Sequence, residues 1–229
     1  MLMAAAPGPA RVVINEVMYH PPDDRDDLQF VELFNPSGEA IDLSGWSFTK
    51  GFEFVFPRGV ELAAGAYAVI CQDAAALKSH SGAQLQIAGT FKGKLSHSGE
   101  QIQLANAQGQ IGDAVRYDDQ EEWPLGADGY GSSLERICPR APGNDAANWA
   151  SSIFRSRSTA GGTPGMRNPS FSDVSLPHVK DVRWEKPAPG KQVTVTATVA
   201  DTTRVQAPTL AWMATSGEPR AAWADIAMR

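Results

Sequence analysis

Two runs near the start of the chain alternate between apolar and polar positions. From Val12 to Tyr19, Val13, Asn15, Val17 and Tyr19 share one face and Val12, Ile14, Glu16 and Met18 the other. Between Leu28 and Phe34 the split is Leu28, Phe30, Glu32 and Phe34 against Gln29, Val31 and Leu33. A repeat of two is the mark of a half-buried strand. Each run also carries one glutamate, Glu16 and Glu32, on a face that is otherwise apolar.

The same reading extends along the chain. Phe52, Phe54 and Phe56 keep the strand period around Gly51, predicting an aromatic hairpin. Tyr67 to Cys71 is an apolar run suited to a sheet centre. Asp73 to His80 is the one stretch with helix chemistry, with Asp73 as cap and Gly82 as stop. Strand signals return at Gln84 to Ala88, Gln101 to Leu104, Ile111 to Tyr117 and Ser132 to Cys138, separated by glycine turns. Trp149 is expected to plug one end of the core. Short strands at intervals of about 8 to 12 residues argue a β-sandwich. Residues 169–177 read as a linker. Beyond it, Val179 to Trp184, Gln192 to Val199 and Thr209 to Met213 read as strands of a second immunoglobulin-like or fibronectin-like module. Such modules need about 100 residues, and 56 follow Asp173, so residues 178–229 read as an incomplete module and the chain as a fragment.

Several motifs in fixed order carry a family resemblance. They are Ile14-Asn-Glu-Val, Phe30-Val-Glu-Leu-Phe-Asn35, Asp42-Leu-Ser-Gly45-Trp46, Gly99-Glu-Gln-Ile-Gln-Leu, Asp113-Ala-Val-Arg-Tyr, Asn148-Trp149 and Thr163-Pro-Gly-Met-Arg-Asn168. Together they resemble a lamin-tail domain in its bacterial extracellular form, over residues 11–168. The resemblance implies an all-β, immunoglobulin-like sandwich without known catalytic activity. It also gives Asn15, Glu16, Glu32, Asn35, Gly45, Trp46 and Trp149 a structural meaning.

Composition narrows the function classes. With 42% hydrophobic and 20% charged residues the chain is that of a folded globular protein. Net charge is −6, and residues 11–168 hold 13 basic against 20 acidic side chains, a net of −7. A nucleic-acid surface needs clustered Lys and Arg, so nucleic-acid binding is disfavoured. No run reaches the roughly 20 apolar residues of a membrane span. Residues 1–10 are read as a leader that lacks the charged start of a complete signal peptide. Taken with the resemblance, this places the protein outside the cell or in its envelope.

Candidate chemistry is sparse. Asp23, Asp24, Asp26 and Asp27 form one acidic loop, and Asp118, Asp119, Glu121 and Glu122 a second. Oxygen-rich loops suit Ca²⁺, although no EF-hand spacing is present. The facing carboxyls of Glu16 and Glu32 would do acid–base work if they met in an open site. The milder expectation is that they bond loop backbone or arginines, with Arg136 and Arg58 as candidates. Cys71 and Cys138, the two cysteines, either cross-link or remain half-buried thiols. His20, His80, His97 and His178 lack ligand spacing and read as surface residues. Trp123, beside Glu121 and Glu122, is the best candidate for a ligand face. No hydrolase, P-loop or zinc-protease motif occurs. The resulting expectation is a non-enzymatic module attached to a protein or cell-surface polymer and to neighbouring domains. The alternatives are an accessory domain of a larger secreted enzyme and a calcium-dependent carbohydrate-binding module.

Overall fold

In the computed structural model, the described residues are 11–82, 84–154, 160–174, 178–184, 195–200, 209–213 and 223–227. The expected leader, residues 1–10, lies outside them. The chain divides into two units, Met1–Val174 and Ser175–Arg229.

The first unit is an all-β sandwich. Its strands are β1 (Val13–Met18), β2 (Phe30–Phe34), β3 (Ile41–Asp42), β4 (Ser47–Lys50), β5 (Phe54–Val55), β6 (Glu61–Leu62), β7 (Tyr67–Cys71), β8 (Ile87–Thr90), β9 (Glu100–Ala105), β10 (Ile111–Tyr117), β11 (Leu134–Arg136) and β12 (Trp149–Ser151), with helix α1 (Ala74–Ser81) between β7 and β8. A six-stranded sheet runs β12-β11-β1-β2-β7-β8, a four-stranded sheet runs β10-β9-β4-β5, and β3 pairs with β6. Every pairing is antiparallel except β7 with β8, which run parallel because α1 carries the chain back across the sheet.

The two sheets close on one apolar layer. Ile14, Val17, Tyr19, Val31, Leu33, Ile70 and Leu134 of the larger sheet meet Phe48, Ile102, Leu104, Val115 and Tyr117 of the smaller. Trp149 joins this layer, buried, with its indole N–H donating to Gly143 O at 2.8 Å. The simple alternation of the first strand fails at one point. Ile14 faces Leu33 and Glu16 faces Glu32, so Asn15 is an extra residue in β1. This bulge shifts the side-chain phase by one. Ile14 and Val17 therefore both reach the inter-sheet core, and all six residues of β1 are buried.

The outer face of the larger sheet is covered as well. Met18, Phe30, Val69 and Cys71 pack under Leu77 of α1 together with Leu28, Leu85 and Ala160. The helix begins where capping chemistry predicts, with Asp73 accepting from the amides of Ala75 and Ala76 at 2.8 and 3.0 Å. Residues 160–170 return over the rest of this face. Residues 169–172, expected as linker, are tied to the first unit. Ser170 bonds Glu135, Ser172 N donates to Ile137 O at 2.8 Å, and Phe171 meets Phe34 edge-on at 6.2 Å.

In the second unit His178–Trp184 pairs with Val195–Ala200, and Thr209–Met213 with Trp223–Ala227, as two separate antiparallel ladders. Among the described residues these two ladders are the β structure of the second unit.

Candidate functional site

The bulge in β1 sets up the most unusual feature of the first unit. Glu16 sits opposite Glu32 on β2 and opposite Glu135 on β11. Three glutamates thus stand side by side across three neighbouring strands, each no more than 1% exposed. Among the described residues no arginine bonds them. Arg58 is exposed, and Arg136 points through the sheet to Asp113 of the other sheet, with Ile14, Cys138 and Ala141 carbonyls as further acceptors. The expected arginine partnership is therefore corrected, because Arg136 and Glu135 are adjacent and project to opposite faces.

The glutamates bond the returning segment instead. Glu16 accepts from Ser133 Oγ at 2.5 Å and from the Thr163 amide at 2.9 Å. Glu32 accepts from the Gly165 amide and from Asn15 Nδ2. Glu135 accepts from the Ser170 hydroxyl at 2.8 Å. A Cβ at Gly162 would collide with Glu16 Oε1, so glycine alone lets the segment approach. Asn168 Nδ2 donates to the carbonyls of Asn15 and Arg136. Burial raises the Glu16 carboxyl to about 7, against the bonds from Ser133 and Thr163. Burial and then the charge of Glu16 push Glu32 well above its ordinary range, and burial raises Glu135. All three carboxyls are thus held above the ordinary carboxylate range, chiefly by burial. It is covered by the protein's own chain and faces no open cleft.

The remaining motif residues organise turns. Asn35 donates to the carbonyls of Glu39, Leu62 and Ala63 and accepts from the Ser37 amide, tying the turn after β2 to the one after β6. Gly45, at φ +75°, makes the corner from which Trp46 packs on the core. The family model described as Lamin Tail Domain matches residues 5–119, about half of the 229 residues. This chain belongs to the lamin-tail domain family. No curated protein matches it. The matched residues end just after β10, whereas the sandwich continues: β11 and β12 complete the larger sheet, and Thr163 to Ser170 seal its outer face.

At one end of this lamin-tail domain the two acidic loops meet residues that sequence spacing left apart. Pro22–Asp24 and Asp26–Leu28 form two short 3-10 turns, with Asp23 and Asp24 both at positive φ. Aspartate is among the few side chains that accept this conformation. The buried Gln29 amide donates to Tyr19 O and Leu95 O and accepts from the Leu95 amide, and Tyr117 OH donates to Ser96 O. These bonds hold the segment carrying His97 against the segment carrying His20. The two imidazoles stack at 3.9 Å with 10° between their planes. His20 Nδ1 lies 2.7 Å from Asp128 Oδ1, and its Nε2 lies 2.9 Å from Asp24 Oδ1. His97 Nε2 lies 2.7 Å from Asp26 Oδ1, and its Nδ1 lies 3.7 Å from Asp24 Oδ1. Bonding from His20 holds the Asp24 carboxyl below its ordinary range. The reading of His20 and His97 as unconnected surface residues is therefore corrected: both are only a quarter exposed or less. Tertiary contacts between segments 77 residues apart bring them together.

The expected oxygen cage does not assemble as a unit. Asp27 pairs with Arg25 at 2.6 Å, while Asp118 and Asp119 bond Gln120. Trp123 is half-buried against the core, its ring tilted 40° to that of Trp149 at 6.1 Å. Cys71 and Cys138 are both buried and free. Cys71 faces Phe30 on β2, and Cys138 follows β11 across β1. Three strand spacings, about 14 Å, separate their strands, beyond the reach of a disulfide. Burial pushes the Cys71 thiol up to about 11.

Proposed function

We propose that this lamin-tail domain is a non-catalytic attachment module that works outside the cell or in its envelope. It holds a protein or surface polymer and presents the domains joined to it. The observation that carries this reading is the sealing of the glutamate row. Glu16, Glu32 and Glu135 spend their bonding capacity on Ser133, Asn15 and residues 163–170. Acid–base catalysis needs a carboxyl within reach of a substrate proton, and here the protein's own backbone occupies that position. Lamin-tail domains, as immunoglobulin-like modules, are generally binding or scaffold units, which supports the same reading.

The test is co-sedimentation of the full chain with purified envelope polymer, alongside chemical cross-linking to envelope proteins. Saturable retention without release of soluble polymer fragments is expected, and to the same degree in Glu32→Gln. Fragment release that disappears in Glu32→Gln, or no saturable partner in either arm, would overturn the proposal.

A further inference from the structure

We propose that the pocket between Phe34, Pro139 and Phe171 binds one proline of an extended, basic peptide segment of a partner protein. This deepens the attachment reading and rests on it in one respect, that the partner is a protein. The pocket is a cavity of about 80 Å³ where the chain leaves β2. Phe34, Pro36, Pro139, Arg140, Phe171 and Asp173 line it, all from the first unit. Ligand and cofactor sites commonly run to about 300–1,000 Å³, so this one takes a single side chain.

Each wall is held by the fold itself. The buried Phe34 ring stacks on Tyr67 at 4.8 Å and meets Phe171 edge-on. The Phe171 amide donates to Asn168 O at 3.0 Å, and the Arg167 guanidinium lies 4.1 Å over the Phe171 ring. The Ala141 amide donates to Cys138 O at 3.2 Å, closing the turn that carries Pro139 and Arg140. Buried Arg136 holds the same turn by donating to Ala141 O. Walls fixed in advance lower the ordering cost of binding.

The chemistry of the walls selects the occupant. Strand addition needs a row of unpaired amides and carbonyls. Here β2 is already paired on both sides, by β1 and β7, and Pro36 and Pro139 have no amide proton. A docked helix needs several hollows a turn apart, and this cavity offers one. A polyproline II segment needs neither, because its backbone makes no internal bonds and its rings dock against aromatic walls. Arg140 and Asp173 are exposed, and among the described residues neither forms an ion pair. The five guanidinium N–H groups suit the free carbonyls of such a segment, and the Asp173 carboxylate suits a Lys or Arg beside its proline. Residues 11–168, with 13 basic against 20 acidic side chains, favour a basic partner as well.

Fluorescence anisotropy of a labelled peptide, Ala-Pro-Pro-Lys repeated three times, titrated with the full chain tests the proposal. Saturable binding is expected, and its loss when alanine replaces every proline of the peptide. Phe171→Ala should weaken binding roughly tenfold or more, and Asp173→Lys about fivefold at low salt. Glu121→Lys makes the same charge change at the other end of the sandwich. Phe34 faces Val13 at the start of β1, whereas Glu121 follows Tyr117, which packs on Tyr19 beyond the end of β1. Binding there should stay within about twofold of wild type. In the amide spectrum of the wild-type chain, which requires no substitution, peptide-induced shifts should gather at residues 34–37, 140–141 and 171–173. Shifts centred elsewhere, equal binding of the alanine peptide or undiminished binding by Phe171→Ala would sink the assignment. So would no saturable binding by the wild-type chain, and continued retention on envelope protein would then leave the attachment reading standing without this pocket.

Discussion

The two faces of the six-stranded sheet bury charge-bearing groups in opposite ways. Between the sheets, Asp113 is matched by Arg136, itself fully buried, and Arg11 and the Ile14 amide complete the arrangement. On the outer face Glu16, Glu32 and Glu135 are bonded, among the described residues, by hydroxyl and amide donors and by no cation. Removing a charge from water is expensive unless a partner or a proton neutralises it. The core uses the partner and the outer face uses the proton. One sheet therefore carries an ion pair on one side and a row of raised carboxyls on the other.

Breaking the core pair should have the largest effect. Arg136→Ala leaves Asp113 with only Arg11 and the Ile14 amide, and takes a donor from the carbonyls of Ile14, Cys138 and Ala141. A loss of about 3–5 kcal/mol is expected, read from the urea midpoint by tryptophan fluorescence. Replacing both partners by apolar residues, as in Asp113→Leu with Arg136→Met, should recover much of it, since no buried charge then lacks its mate. A double variant as weak as Arg136→Ala would show that the bonds to the three carbonyls dominate.

The outer row should respond to pH in a direction set by its raised carboxyls. Glu16 titrates near 4.5 when unfolded and at about 7 when folded. The native protein holds more protons in that window, so this contribution is complete below about pH 4.5 and is lost as pH rises through 7. Thermal midpoints should fall by several degrees from pH 5 to pH 8, and Glu16→Gln should flatten the fall. Lowered aspartates such as Asp42, held down by the Ser44 side chain and amide, act in the opposite sense and only at lower pH. Parallel wild-type and Glu16→Gln curves would mean that the row is already ionised in the native protein.

This contrast was only half legible in the sequence. Alternation from Val12 to Phe34 marks two strands and places a glutamate in each, because the strand period is local. The bulge at Asn15 is not local: it exists only because β2 lies opposite, so the faces of β1 could be assigned only up to Ile14. Arg136 looked like a partner for the glutamates, yet its neighbour Glu135 took the outer face and left Arg136 to the core. The parallel β7–β8 pairing depends on where α1 delivers the chain, which periodicity does not encode. His20 and His97 carry no spacing signal because the stack between them is made by Gln29 and Tyr117 across three segments. In the second unit, Trp223–Ala227 is alanine-rich and lacks a clear repeat of two, so its pairing with Thr209–Met213 is not written in the pattern.

The smallest effect should come from the lid on the apolar half of the outer face. Leu77 of α1 is 1% exposed and covers Met18, Phe30 and Val69, next to the glutamate row but without a bond to it. Asp73 supplies the first turn with acceptors for two amides that would otherwise have none. Its carboxylate also sits at the positive end of the helix. Asp73→Ala should therefore lower stability by about 1 kcal/mol, with the urea slope unchanged because the same surface is still buried. Amide exchange should quicken in α1 while the protected amides of β1 and β2 keep their rates. Faster exchange at Glu16 and Glu32 in this variant would mean that the row relies on the helix for its dryness, and that the two halves of the outer face open as one.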